Sequence, residues 1–164
     1  IEPHPKVRGQ DITFWRIDPR GSFYHIRTLD DDSRLTESYP PPLTHLDFVI
    51  SIWRNAEAVS VALAMATAFG LPRETSSLSF CFRWSRLRDR QLSSWSEPSR
   101  HISEDTAYQD DVDSQIAVPA DLPRSSIFQY VHRATLPLFA VFRGRQFGAN
   151  VVEDICAKAL GLRK

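Results

Sequence analysis

One run constrains this chain more than any other: "THLDFVISIWRNAEAVSVALAMATAFGLP", residues 44–72. Its periodicity is helical. Thr44, with Asp47 three residues on, makes a capping-box pattern, while Gly70 and Pro72 supply a stop. The spacing predicts one helix over 46–69. Its first half is amphipathic, with Asp47, Ser51, Arg54 and Asn55 near one stripe. From Ala58 to Phe69 only Ser60 and Thr67 are polar. A helix apolar nearly all round belongs inside a core, so its second half is expected to be buried on most sides. Ala62 and Ala66 are then the points of close approach. The polar first half and the short fully apolar run argue against a membrane span.

Around this helix the sequence alternates. "DITFWRI" and "SFYHIRTL" flank a "DPRG" turn signal and predict a hairpin. "DDDSRLTESYPPP" reads as a loop. In "SLSFCFRW", Leu78, Phe80, Phe82 and Trp84 share one parity and Ser79, Cys81, Arg83 and Ser85 the other. That is a strand with one face in the core. "QLSSW" reads as its returning partner, and "TAYQDDVDSQIAVP" as a last strand. The final third is helical: Ser125 or Ser126 caps "IFQYVHRATLPLFAVF", with Pro137 as a kink or break. Asn150 and Glu153 then precede "VVEDICAKAL", which ends at Gly161. About five strands and three helices, with little βαβ alternation, predict an α+β fold. It is expected to be a mainly antiparallel sheet packed on the long central helix, with C-terminal helices beside it. At 164 residues, residues 11–164 fit a single domain and residues 1–10 a linker tail. The start at Ile1 fits a piece of a longer protein.

Composition excludes some classes. With 42% hydrophobic and 24% charged residues a packed core is expected, not global disorder. A formal net charge of zero gives no whole-chain argument for a nucleic-acid or membrane partner. Two cysteines, Cys81 and Cys156, lie in apolar patterns without metal-ligand spacing, which fits buried free thiols in a reducing cytoplasm. Neither a nucleotide-loop, a nucleophile-elbow nor a zinc-helix motif is present. The histidines, at 4, 25, 45, 101 and 132, are scattered. No cofactor is implied, and the reading leans away from an enzyme.

Two local clusters have chemical potential. Arg83, Arg86, Arg88 and Arg90, with Trp84 and Trp95 interleaved, form an arginine hairpin that can hold phosphates and stack bases. Its alternative is internal ion pairing, because acidic and basic residues match at 20 each. Asp110, Asp111 and Asp113 have the chemistry to hold a divalent ion for phosphodiester cleavage. Their alternative is a solvated strand end, with charges that discourage edge pairing.

Several blocks carry a resemblance: "GSFYHIRTLDDD", the long helix, "LSFCFRWSRLRDRQLSSW", "YQDDVDSQIAVP" and "VVEDICAKALG". Together they resemble the C-terminal region of bacterial Schlafen-like proteins. These are grouped with transcriptional regulators or ATP-binding proteins and carry an N-terminal AlbA-type domain read as DNA-binding. The resemblance implies a non-catalytic regulatory, ligand-sensing or protein-interaction (oligomerisation) domain in a cytoplasmic protein. Its partners would be an upstream AlbA-type domain and a possible second copy of itself, with DNA only indirectly. No DNA- or nucleotide-binding role passes to any residue here.

Overall fold

A computed structural model describes residues 13–18, 21–33, 40–103 and 105–162. The linker read over residues 1–10 lies outside them. The stretch from residue 11 onward divides at His45/Leu46 into two compact units.

The first unit contains the predicted hairpin. Strands β1 (Thr13–Asp18) and β2 (Ser22–Arg27) pair antiparallel, Phe14 opposite Ile26 and Ile17 opposite Phe23. Gly21 sits at φ +96° in the turn and donates its N–H to the Asp18 carbonyl at 2.9 Å. Only a residue without a Cβ adopts that backbone freely. The acidic run after β2 does not stay a loop. It forms a short helix, α1 (Asp30–Ser33), with three acids in its first turn, where free N–H groups favour negative charge. Arg27 meets Asp30 at 3.1 Å, and Asp32 accepts the Leu43 N–H at 2.7 Å.

The second unit is built on three helices. The long helix α2 (Phe48–Ala68) starts two residues later than the spacing predicts, because residues His45–Asp47 are a strand, β3. Its N-cap is therefore Asp47, whose carboxylate accepts the Ile50 N–H at 2.9 Å. Thr44 instead turns its hydroxyl to the Pro41 carbonyl. At the other end Gly70 is left-handed, φ +70°, and the Leu71 N–H returns to the Ala66 carbonyl at 3.0 Å. This is the predicted glycine stop.

Helix α3 (Ile127–Ala140) packs on both α2 and α4 (Ala149–Ala159), and those two also pack on each other. Pro137 lies inside α3, which runs on unbroken to Ala140. Ser126 occupies the α3 cap position without a side-chain hydrogen bond. Gly148, not Asn150, precedes α4. Gly161, at φ +65°, ends that helix as its position predicts.

The single five-stranded antiparallel sheet on a long helix is not what forms. The α+β character stands, but the strands make three separate two-stranded sheets, one of them parallel. Among the described residues β1 pairs only with β2. Strand β4 (Ser77–Trp84) pairs antiparallel with β6 (Val112–Pro119), while the short β5 (Gln91–Ser93) pairs with β3. The reason is legible in the register. β6 offers Val118 to Leu78, Ile116 to Phe80 and Val112 to Trp84, three apolar pairs over eight residues, with Phe82 opposite Ser114. "QLS" offers only Leu92. Side-chain pairs across the strands decide such competitions.

The second correction concerns α2. Its buried stripe is Phe48, Val49, Ile52, Ala56, Val59, Leu63 and Ala66, so the first half is the better covered. In the second half Val61 is 51% exposed, and Phe69, at the C-cap, 64%. The helix is long and apolar enough to cross a membrane, but it packs on α3 and α4 as a globular core helix does. Ala66 is buried in that stripe and Ala62 half-buried beside it.

Candidate interaction surface

Alternation in β4 works as its sequence requires. Leu78, Phe80 and Phe82 are half-buried and Trp84 is buried, while Ser77, Ser79, Cys81 and Arg83 are exposed. The aromatic rings on the apolar side run as a ladder. Phe80 and Phe82 stack at 5.8 Å between centroids, and Phe82 and Trp84 at 5.9 Å. Helix α3 packs on β6, so β6 is the inner strand of the pair and β4 the outer. β4 has one neighbouring strand, leaving its other edge without a strand partner among the described residues. Along that edge there is no proline, lysine or bulge, the usual protections of an edge strand. Arg83 is its one charge. It lies 3.8 Å from Asp113 and 4.0 Å from Asp111, so its charge is matched within the chain.

The arginine hairpin comes apart in three dimensions. The chain leaves β4 through a turn with Arg86 at φ +61° and Asp89 at φ +66°. It then runs beside residues 105–110: the Leu87 N–H goes to the Asp110 carbonyl at 2.9 Å and the Asp89 N–H to the Ala107 carbonyl at 3.0 Å. Arg86 and Arg88 stay exposed. Arg90 is only 1% exposed, and its Nε donates to the Arg86 carbonyl at 2.6 Å, tying the turn from inside. Trp84 belongs to the aromatic ladder, and Trp95 is half-buried. The four guanidiniums therefore do not share one face.

Asp110, Asp111 and Asp113 are all exposed. Asp110 serves the turn, its carboxylate 3.4 Å from the Arg88 N–H, and the other two flank Arg83. Among the described residues no three His, Cys, Asp or Glu side chains gather to hold a metal ion. The two thiols part company. Cys156 is buried, and burial pushes its pKa up to about 12. Cys81 is exposed in the middle of β4, against the expectation of two buried thiols. Alternation foretold this, since Cys81 shares parity with Ser79 and Arg83.

Sequence reading missed a second polar assembly, where the loop after β5 meets α4. Arg100 bonds Glu97 at 2.6 Å and also reaches Asp154, while Lys158 lies 2.9 Å from Glu97 and 3.3 Å from Asp154. Two cations and two anions are held in alternation. The i,i+3 spacing of Glu97–Arg100 and the i,i+4 spacing of Asp154–Lys158 were visible, but their meeting across the fold was not. Burial raises the Glu97 pKa, but hydrogen bonds from Arg100 and Lys158 outweigh it and the net shift is downward. Asp154 is lowered chiefly by its hydrogen bond from Arg100.

The chain matches no protein-family model, no curated protein and no solved structure.

Proposed function

We propose that this chain is a non-catalytic protein-interaction domain whose working surface is the open edge and aromatic row of β4. The observation that carries the reading is an eight-residue strand with one neighbouring strand among the described residues, a half-buried row of Leu78, Phe80 and Phe82, and no proline, lysine or bulge along it. Unpaired backbone donors and acceptors beside apolar side chains are what strand-addition partners use: the backbone gives affinity and alternate side chains give selectivity. A regulatory module of a cytoplasmic Schlafen-like protein, attached to an AlbA-type domain, fits this reading and the resemblance above.

Hydrogen exchange on the dilute chain tests it. Every second β4 amide, the set pointing away from β6, should exchange rapidly while the set facing β6 is protected. If all β4 amides are protected at low concentration, the chain itself covers the edge and the reading falls.

A second reading rests on Arg86 and Arg88, which are exposed and have no ion-pair partner among the described residues. They are the part of the arginine cluster open to an anion or nucleic acid. Fluorescence anisotropy with a labelled single-stranded oligonucleotide at low salt tests this. Binding should weaken in Arg86→Gln/Arg88→Gln with a shallower salt slope, and no binding by the unmodified chain removes it.

A further inference from the structure

Resting on the interaction reading, we infer that the occupant of the β4 edge is the β4 strand of a second copy, paired antiparallel about a two-fold axis at Cys81. The spacing of the apolar row leads there. The apolar set Leu78, Phe80, Phe82 and Trp84 is centred on position 81. In an antiparallel pair, residues directly opposite share a face. With Cys81 opposite its own copy, Leu78 faces Trp84 and Phe80 faces Phe82, so every apolar residue of the row meets an apolar one. Shifting the axis to Phe80 leaves Trp84 facing Ser76. Shifting the register by one residue sets the apolar row against the serine face, so no apolar pair forms.

Charge points the same way. Within the strand the only charge is Arg83, already beside Asp111 and Asp113. In this register it faces Ser79, so no like charges oppose. Beyond the strand, Arg86 and Arg88 follow β4, and Glu74 lies in the turn before it. All three are exposed and lack an ion-pair partner among the described residues. Antiparallel pairing brings the Glu74 end of one copy to the Arg86–Arg88 end of the other, twice by symmetry. The product is a continuous four-stranded sheet, β6–β4–β4–β6, which replaces two open edges with one ladder. Self-complementarity of a single patch is what a two-fold dimer requires.

The chemistry at the axis makes the register readable. Opposite Cβ atoms in an antiparallel pair lie about 4.5–5.5 Å apart, near disulfide reach. Treating the chain with diamide should join the two Cys81 thiols. Each thiol gives up a proton and an electron, and the diamide is reduced to the hydrazine. Cys156, buried with a raised pKa, supplies no competing thiolate. Light scattering at tens of micromolar should give twice the 18.7 kDa chain mass. Cys81→Arg should return it to one chain mass, because two guanidiniums would meet on the axis. Gln115→Arg, at the exposed position opposite Cys81 on β6, should remain a dimer. Cys81 is exposed, so neither change disturbs the core, and unchanged circular dichroism confirms the fold.

A monomeric unmodified chain overturns the self-pairing, as does a dimer that Cys81→Arg leaves intact or diamide fails to cross-link at Cys81. Hydrogen exchange separates these failures from that of the wider reading. A monomer with rapidly exchanging outward β4 amides loses only the second copy as occupant. A monomer with those amides protected loses the interaction surface itself.

Discussion

The chain makes two antiparallel strand pairs, and they behave oppositely. In β1–β2 the large apolar residues Phe14, Trp15, Ile17, Phe23, Tyr24 and Ile26 are all exposed, Trp15 by 63%. In β4–β6, Trp84, Val112 and Val118 are buried, and α3 packs on β6. Hydrogen bonding does not separate them, since both are full antiparallel ladders. What separates them is patterning. β4 has a serine-rich face and an apolar face. In β1–β2, Phe14 and Tyr24 lie on one face and Trp15 and Phe23 on the other, so neither face is polar throughout. A two-stranded pair is marginal alone and takes its stability from what it packs against. One pair has a helix beneath its inner strand. The other brings six large exposed apolar groups, with cross-strand contacts such as Phe14 with Tyr24 at 6.4 Å.

The comparison breaks most severely if the platform is removed. Leu138 is fully buried on α3. Leu138→Ala should cost about 2–5 kcal/mol, seen as a lower urea midpoint for the second unit. A loss well under that range would mean α3 is not the platform.

The second prediction concerns how the platform is anchored. Asp47 is fully buried and accepts the Ile50 N–H at 2.9 Å and the Ser96 N–H at 2.8 Å. It thus joins the start of α2 to the loop after β5. Asp47→Ala should cost about 1–3 kcal/mol by losing the cap and leaving the part-buried Ile50 and Ser96 N–H groups without their acceptor. Burial raises this carboxyl's pKa above its ordinary 3.8, even against those hydrogen bonds. The folded state therefore holds the proton more tightly than the unfolded chain. Its contribution is largest below the unfolded value and is lost as pH rises through the folded one. Asp47→Asn keeps the acceptor without the charge. Measured by denaturation across that window, its stability relative to the unmodified chain should improve as pH rises.

The Glu97–Arg100–Asp154–Lys158 assembly should show the reverse sign. Glu97 and Asp154 have lowered pKa values, so their stabilisation is present above the unfolded carboxylate range and lost as pH falls through the folded values. Asp154→Asn should cost about 0–1 kcal/mol near neutral pH. The loss should shrink in high salt and vanish in acid. A penalty unchanged by salt would assign Asp154 a packing role instead.

The smallest effect belongs to the exposed pair. Trp15 is 63% exposed, so Trp15→Ala should change stability by no more than about 0.5 kcal/mol in thermal melting. A larger loss would show that Trp15 is packed in the hairpin, and the contrast between the two strand pairs would collapse.

Local signals read correctly where one segment supplied all the information. The β1–β2 hairpin, the eight-residue β4, the glycine stops at Gly70 and Gly161, and the existence of three main helices follow from alternation, periodicity and left-handed glycines. Residues 85–93 could not be read that way. No spacing within "RLRDRQLSSW" says that Leu87 and Asp89 will bond Asp110 and Ala107. Nor does it say that Arg90 will be buried while Arg86 and Arg88 stay outside. The candidate site was half legible: parity marked Ser79, Cys81 and Arg83 as one face, but not that no further strand would cover β4.

The sequence by itself determined the longer strands and helices and the apolar face of β4, because those properties depend on neighbours within a few residues; the short α1 and β3 it did not reveal. Tertiary structure alone decided that β4 takes β6, that α2 buries a stripe and not its whole circumference, and that the arginines disperse. These outcomes are competitions between segments far apart in the chain. Each is settled by which apolar rows match in length and register, and by how much surface the three helices have to offer.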